Sequence, residues 1–169
     1  KYQIIKVTTF IMPKDCPKSI CPAARDTGNL QEYYKPGYMK KIGLIREGKV
    51  PADNRVALTP AQCKWILKNS TDIQIVVQNS PDRCFSDREY LSAGVEVKDD
   101  LTDCDLLFGI KEVPVHQLIP GKTYLFFSHT KKKQPHNQPL LKAVIEKDIT
   151  LIDYECLEHE DGQRIIGFG

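Results

Sequence analysis

The chain has 169 residues, of which 24 are Lys or Arg and 22 are Asp or Glu, which gives a formal net charge of +2. This length supports one domain with a buried core but excludes two large ones. A charge so close to neutral gives no reason to expect nucleic acid or an acidic membrane as a partner, and no apolar run approaches the roughly 18 residues of a transmembrane helix.

Residues 1–38 differ in composition from the rest of the chain. One strand can form over residues 1–12, but residues 15–38 contain Pro and Gly without hydrophobic periodicity, which predicts an extension or linker. The continuous apolar run of a signal peptide is missing, so we expect the cytoplasm or an organelle interior. Cys16 and Cys21 form a C-x4-C pair. Zinc needs two more ligands at similar spacing, and since none follows, no metal site is predicted.

From residue 39 onward, short apolar runs alternate with helical patterns. Strands are predicted at KKIGLIRE, IQIVV, LLFGI, TYLFF, ITLIDYE and GQRIIGF. Helices are predicted from Thr59-Pro60 to about Asn69, from Ser86 to Gly94 and over 138–147, with at most two helical turns at VHQLI. This alternation is typical of βαβ units. We therefore predict a three-layer α/β domain over residues 39–169, with a mostly parallel sheet of the Rossmann or flavodoxin-like type.

The end of the chain bears on how complete this domain is. The sequence stops at IIGFG, directly after an apolar run and without a polar tail. Domains seldom end in this way. We therefore expect the fold to be incomplete without a C-terminal part of a longer protein.

Ionisable residues follow several of the predicted strands. Lys111 follows LLFGI, His129 follows TYLFF, Glu155 ends ITLIDYE, and Arg55 ends the loop after the first strand. Taken singly, each is more often a solvated or hydrogen-bonded residue than a functional one. In open α/β sheets, however, ligands bind at the carboxyl ends of the strands, where all four are expected. Together they suit chemistry on an amino acid or keto acid, with Lys111 and His129 exchanging protons.

From Lys40 to Gly169 the sequence resembles the N-terminal domain of the alanine dehydrogenase and pyridine nucleotide transhydrogenase superfamily, through IGLIRE followed by NRVALTP. Within that superfamily, LFGIKEVP, YLFFSHTKKKQ, LIDYE and GQRIIGFG are most similar to lysine-forming saccharopine dehydrogenase, also called lysine-ketoglutarate reductase. The alanine branch normally has an aliphatic residue after the His and lacks the Lys and Gln that stand here as Lys132 and Gln134.

This resemblance implies a reaction and a role for each residue. The reaction is the reductive condensation of lysine with 2-oxoglutarate to saccharopine, or its reverse, with NAD or NADP in the intact protein. Two residues would be catalytic acid–base groups, Lys111 and His129. Five would bind substrate: Arg55, Glu155, Arg164, Lys132 and Gln134.

The sequence contains no G-x-G-x-x-G turn, the usual mark of a dinucleotide site. We therefore expect the cofactor domain to lie outside this chain, which alone would bind no dinucleotide tightly and would be inactive in hydride transfer. The expected partners are a small amino acid, a keto acid and that cofactor domain, with a homo-oligomer left open. Two other functions also stay open: an alanine dehydrogenase-like oxidoreductase and a non-catalytic amino-acid or keto-acid binding module.

Overall fold

The computed structural model describes residues 40–51, 53–159 and 161–166, so the predicted extension at 1–38 lies outside the described residues. The helices and strands in this part are β1 (Lys40–Leu44), α1 (Pro60–Asn69), β2 (Ile73–Gln78), α2 (Asp87–Ser92), β3 (Glu96–Lys98), β4 (Leu106–Phe108), β5 (Thr123–Phe126), α3 (Gln138–Glu146) and β6 (Thr150–Asp153). Short 3-10 turns occupy Val115–Gln117, Thr130–Lys132, Pro135–Asn137 and Tyr154–Cys156.

The strands form one sheet in the order β3-β2-β1-β4-β5-β6, and every neighbouring pair is parallel. The first strand of the described residues, β1, lies in the middle of the sheet between β2 and β4. Strands are added in one direction from β1 to β3 and in the other from β4 to β6. Such a reversal opens a crevice outside the carboxyl ends of the strands, where ligands of open α/β sheets bind.

Helices cover both faces of the sheet because the central strands bury side chains on both sides. In β2, Ile75 and Val77 pack in the cluster that contains Cys63 of α1 and Tyr90 of α2. Val76 points to the opposite face, in the cluster that contains the buried residues of α3. This arrangement confirms the predicted three-layer α/β fold with its parallel sheet.

The first two helices begin where their capping residues predict. The Thr59 side chain accepts a hydrogen bond from the backbone N–H of Gln62. The Gln62 side chain in turn accepts one from the backbone N–H of Thr59. Ser86 and Glu89 form the same capping box at α2. These reciprocal bonds satisfy backbone donors that a helix start otherwise leaves open. None of the helices in the described part is long and apolar enough to cross a bilayer.

Several strand predictions need correction. GQRIIGF is wrong as a strand over residues 162–166, where Arg164 forms only an isolated bridge with Glu158 and the segment is largely exposed. β3 is not among the predicted strands, because Glu-Val-Lys offers a single apolar residue and pairs with β2 alone. β1 and β4 end earlier than their apolar runs, which leaves 45–47 and 109–111 to form loops at the carboxyl edge.

Candidate active site

The loops that follow β1 and β4 are joined by one carboxylate. Glu47 accepts hydrogen bonds from the backbone N–H of Ile110 at 2.6 Å and of Lys111 at 2.9 Å. The two loops also approach closely, since a Cβ atom at Gly109 would lie 2.7 Å from Cδ1 of Ile45. Burial raises the pKa of Glu47 despite the two backbone donors. The main chain of Lys111 is thus fixed at the point where the strand order reverses.

His129 follows β5 with a backbone conformation that few residues adopt. Its φ of 55° and ψ of 11° lie in the left-handed region, which costs about 1–3 kcal/mol outside glycine. The Asn137 side chain donates to the His129 carbonyl at 3.0 Å, and the His129 ring stacks near Phe127 with a centroid distance of 6.4 Å. Neighbouring groups therefore hold this residue in place against its own backbone preference.

The imidazole of His129 lies between two carboxylates. Its Nδ1 is 3.3 Å from Oε2 of Glu155, and its Nε2 is 3.7 Å from Oε1 of Glu112. The Glu155 side chain is only 6% exposed. The 3.3 Å contact has ion-pair distance but not hydrogen-bond alignment, and in the part of the chain that the structure describes neither atom has another hydrogen-bond partner. A small rotation of the ring would allow a proton to be shared between these two atoms.

Cations hold both carboxylates in the charged form. Burial raises the pKa of Glu155, but Lys132, whose Nζ lies 3.2 Å from Oε1, and His129 outweigh burial and lower it. Burial likewise raises the pKa of Glu112, and Lys49 at 2.8 Å, a backbone N–H and His129 lower it overall. Both carboxylates are therefore anionic near neutral pH, and their negative charges lie on either side of the His129 ring.

Arg55 is paired within its own loop. Its guanidinium contacts the carboxylate of Asp53 through Nη2 at 2.5 Å and Nε at 2.9 Å. Hydrogen bonding to Arg55 is the main cause that lowers the pKa of Asp53 to about 2, and the positive charge of Lys111 makes a smaller contribution to the same shift. Asp53 thus interacts electrostatically with Arg55 and Lys111, two residues that the sequence predicts to be functional.

The structure brings some of the predicted site residues together and leaves others apart. Glu155 contacts His129, Lys132 and, at 4.0 Å, Arg164. Gln134 instead precedes the Pro135–Asn137 turn and lines a separate surface depression of about 310 Å³. The catalytic and binding roles of all seven residues stay predictions.

Glu47, Asp53 and Glu112 were not singled out from the sequence. Glu47 and Glu112 each follow a basic residue just beyond a strand, at Arg46-Glu47 and Lys111-Glu112. The rule that selected Lys111 by its place after a strand applies equally to these two acids. That rule could therefore have found both carboxylates.

Comparison with known proteins gives matches over the same part of the chain. Residues 43–169 match a family model described as alanine dehydrogenase/PNT, N-terminal domain. The chain is 39% identical over 132 residues to alpha-aminoadipic semialdehyde synthase of Arabidopsis thaliana, across 76% of this chain and 12% of that protein. It is 32% identical over 136 residues to saccharopine dehydrogenase [NAD(+), L-lysine-forming] of Emericella nidulans, across 76% of this chain and 35% of that protein. The chain therefore spans a minor part of these relatives.

Solved structures share the fold at lower sequence identity. An L-alanine dehydrogenase superposes with a TM-score of 0.61 at 18% identity, across 73% of this chain and 34% of that one. A transhydrogenase from Sinorhizobium meliloti superposes with a TM-score of 0.59 at 16% identity, across 72% of this chain and 36% of that one. At these identities the likeness shows the fold alone.

Proposed function

Because this chain belongs to the alanine dehydrogenase/PNT N-terminal domain family, a family of oxidoreductases, we propose that it is the substrate-side domain of a saccharopine dehydrogenase. The full protein would interconvert lysine plus 2-oxoglutarate with saccharopine. A relative named for this lysine-forming reaction is 32% identical to the chain, which supports this substrate pair over pyruvate and ammonia. Since the chain spans only part of such relatives, the hydride donor would be bound by residues outside it.

The observation that carries the proposal is the position of His129 between Glu112 and Glu155. Two anionic carboxylates, at 3.7 and 3.3 Å, flank the ring and orient it. Lys132, half exposed beside Glu155, offers positive charge to a substrate carboxylate at the same place. A proton carrier next to a carboxylate-binding cation is what condensation of an amino acid with a keto acid requires.

The described residues do not fit the pyrophosphate of a nicotinamide dinucleotide. A dinucleotide needs free backbone N–H groups at the start of the helix after β1. In α1 the Thr59 and Gln62 capping box uses two of these N–H groups, and Pro60 has no N–H to offer. We assign no hydride step to this chain. Titration calorimetry of the chain with NADH is expected to detect no micromolar binding, and such binding would contradict this assignment.

The protein groups then act on protons and charges. Condensation forms a bond between the lysine amine nitrogen and the keto carbon and breaks the bond from that carbon to oxygen, which leaves as water. His129 takes a proton as the amine attacks and returns one to the departing hydroxyl group. Lys111 is the second proton carrier at this edge. Arg55, Lys132 and Arg164 are the cations that hold the substrate carboxylates.

Turnover of the full-length protein tests this function. We expect reduction of 2-oxoglutarate with lysine, measured with NADH and with NADPH, to exceed that of pyruvate with ammonia. His129→Gln and Lys111→Met should each lower kcat by about 10²–10⁴-fold, the usual loss for a proton-transfer group, with an unchanged far-UV spectrum.

His116→Gln is the matched control, since His116 is exposed in a 3-10 turn and, among the described residues, forms no ion pair with Glu112 or Glu155. A preference for pyruvate and ammonia would replace the proposal by an alanine dehydrogenase-like function. No turnover of either pair would favour a binding module. Full activity of His129→Gln would remove His129 from the mechanism.

A further inference from the structure

A buried carboxylate behind the candidate site contacts both segments that carry its central pair. Asp153 ends β6, is 2% exposed and pairs in register with Phe126 of β5. Its Oδ2 accepts a hydrogen bond from the hydroxyl of Ser128, and its Oδ1 accepts one from the backbone N–H of Glu155 at 2.9 Å. One side chain thus links the residue before His129 to the main chain of Glu155.

Ser128 extends this link to the other side of His129. Its hydroxyl oxygen accepts from the backbone N–H of Thr130 at 3.1 Å and lies 2.7 Å from the Thr130 hydroxyl. Ser128 is fully buried, so these partners are not exchanged for water. The Ser128 hydroxyl therefore connects the residues before and after His129. This connection stabilises the left-handed backbone conformation that positions the imidazole.

Burial of the Asp153 carboxylate costs free energy, and core packing alone does not explain why an acidic residue occupies this position. A carboxylate removed from water is expensive unless it is paired, and an apolar residue at the end of β6 would avoid that cost. Among the described residues, Asp153 forms no ion pair, and the hydrogen bonds of its side chain lead to the loops after β5 and β6. Its contacts thus serve the two loops that carry His129 and Glu155.

We propose that Asp153, acting through Ser128, is a positioning residue that sets the orientation of the His129 imidazole against Glu155. This inference deepens the proposed function and rests on it for its significance, since it concerns the same proton carrier. The orientation itself is a property of the chain without substrate and can be measured separately.

Long-range ¹H–¹⁵N NMR spectra of the labelled chain report which ring nitrogen of each His carries the proton. At alkaline pH, where an imidazole is neutral and carries one ring proton, we expect His129 of the wild type to carry that proton on Nδ1, the atom facing Glu155. His129→Gln assigns the signal. In Ser128→Ala the link is cut, and the signal is expected to become a mixture of both tautomers.

Controls separate positioning from general loss of structure. Ser92→Ala removes an exposed Ser hydroxyl that donates to the backbone carbonyl of Arg88 in α2 and should leave the His129 signal unchanged. Ser128→Cys keeps the side-chain volume with a weak donor and serves if Ser128→Ala does not fold. It should show the same mixture of tautomers.

Asp153→Asn is the conservative variant that should rescue the orientation. The Asn oxygen can accept from the N–H of Glu155, and its amide can donate to Ser128, whose hydroxyl then donates to Thr130. The wild-type Nδ1–H signal is expected to persist. An unchanged signal in Ser128→Ala or Ser128→Cys, or equal disruption by Asp153→Asn, overturns the proposal. Because no substrate is used, an inactive full-length protein would count against the proposed function and not against this one.

Discussion

The close approach of the Leu107 side chain to Gly43 in the middle of the sheet allows a sharp test of the packing there. The two residues are paired in the register of β1 and β4, and Leu107 is fully buried. Leu107→Ala removes buried carbons and leaves a cavity, which costs about 3–5 kcal/mol of unfolding free energy. Gly43→Ala places a Cβ 2.8 Å from Cδ2 of Leu107, an overlap that costs about 1–3 kcal/mol.

The double variant should be more stable than the sum of these losses predicts. The shortened side chain of Leu107→Ala no longer has the Cδ2 atom that the new Cβ meets, and the added methyl group occupies part of the cavity. The remaining close neighbours, Sγ of Cys104 at 3.1 Å and Cδ1 of Leu101 at 3.2 Å, can shift by a few tenths of an ångström. We expect a favourable coupling of about 1–3 kcal/mol, within the range for residues in direct contact.

Urea unfolding gives the free energies, followed by the fluorescence of Trp65, the single Trp of the sequence, and by far-UV circular dichroism. Gly109→Ala combined with Leu107→Ala is the matched control, because a Cβ at Gly109 meets Ile45 and not Leu107. That pair should be additive. Additivity of Gly43→Ala with Leu107→Ala, within about 0.5 kcal/mol, would refute the packing described here.

Two further predictions concern single residues. Asp148 follows the C-cap of α3 with a φ of 52°, a conformation that Gly adopts freely. Asp148→Gly should therefore raise the unfolding free energy measured in urea by about 1 kcal/mol, and a decrease would contradict the reasoning. The Asp53 pKa of about 2 lies below its ordinary value of 3.8, so the pair with Arg55 stabilises the fold above about pH 4 and loses that effect as the pH falls toward 2. Arg55→Gln should therefore move the Asp53 titration, followed by carboxyl ¹³C NMR, up toward 3.8 and remove this part of the acid destabilisation; an unchanged titration would speak against the pairing.

The fold was largely predictable because its strands combine apolar residues with clear boundaries. IQIVV is buried on both faces, as an apolar run between two helices suggests, and Thr59-Pro60 begins α1 by local hydrogen bonding alone. β3 escaped prediction because a short edge strand needs little apolar surface, and its place is set by pairing with β2. GQRIIGF carries apolar residues without forming a strand in its described part, where Ile165 is exposed and Ile166 only partly buried.

The site was predictable only in outline. Because ligands bind at the carboxyl ends of strands, the sequence predicts His129 and Glu155 as site residues. In the structure, Nδ1 of His129 lies 3.3 Å from Oε2 of Glu155. The contact of Asp153 with Ser128 depends on the register between β5 and β6, which no local pattern specifies. The pairing of Arg55 with Asp53 is a loop conformation, and a loop sequence does not encode which of its charges meet.

The central place of β1 also determines the order in which this domain can fold. Of the six described strands, β1 emerges first during synthesis. The hydrogen bond from Arg46, just after it, to the Gln78 side chain nevertheless spans 32 residues, and the one from Lys41 to Asp105 spans 64. Parallel neighbours so distant along the chain make closure slow, because the entropy of the long loop is lost before pairing compensates it. Until residues 106–108 have left the ribosome, the edge of β1 that later pairs with β4 stays open, beside the apolar side chains of Ile42 and Leu44. An unpaired apolar strand edge promotes association between nascent chains. Slow translation of the codons before Leu106 should therefore lower the yield of soluble protein.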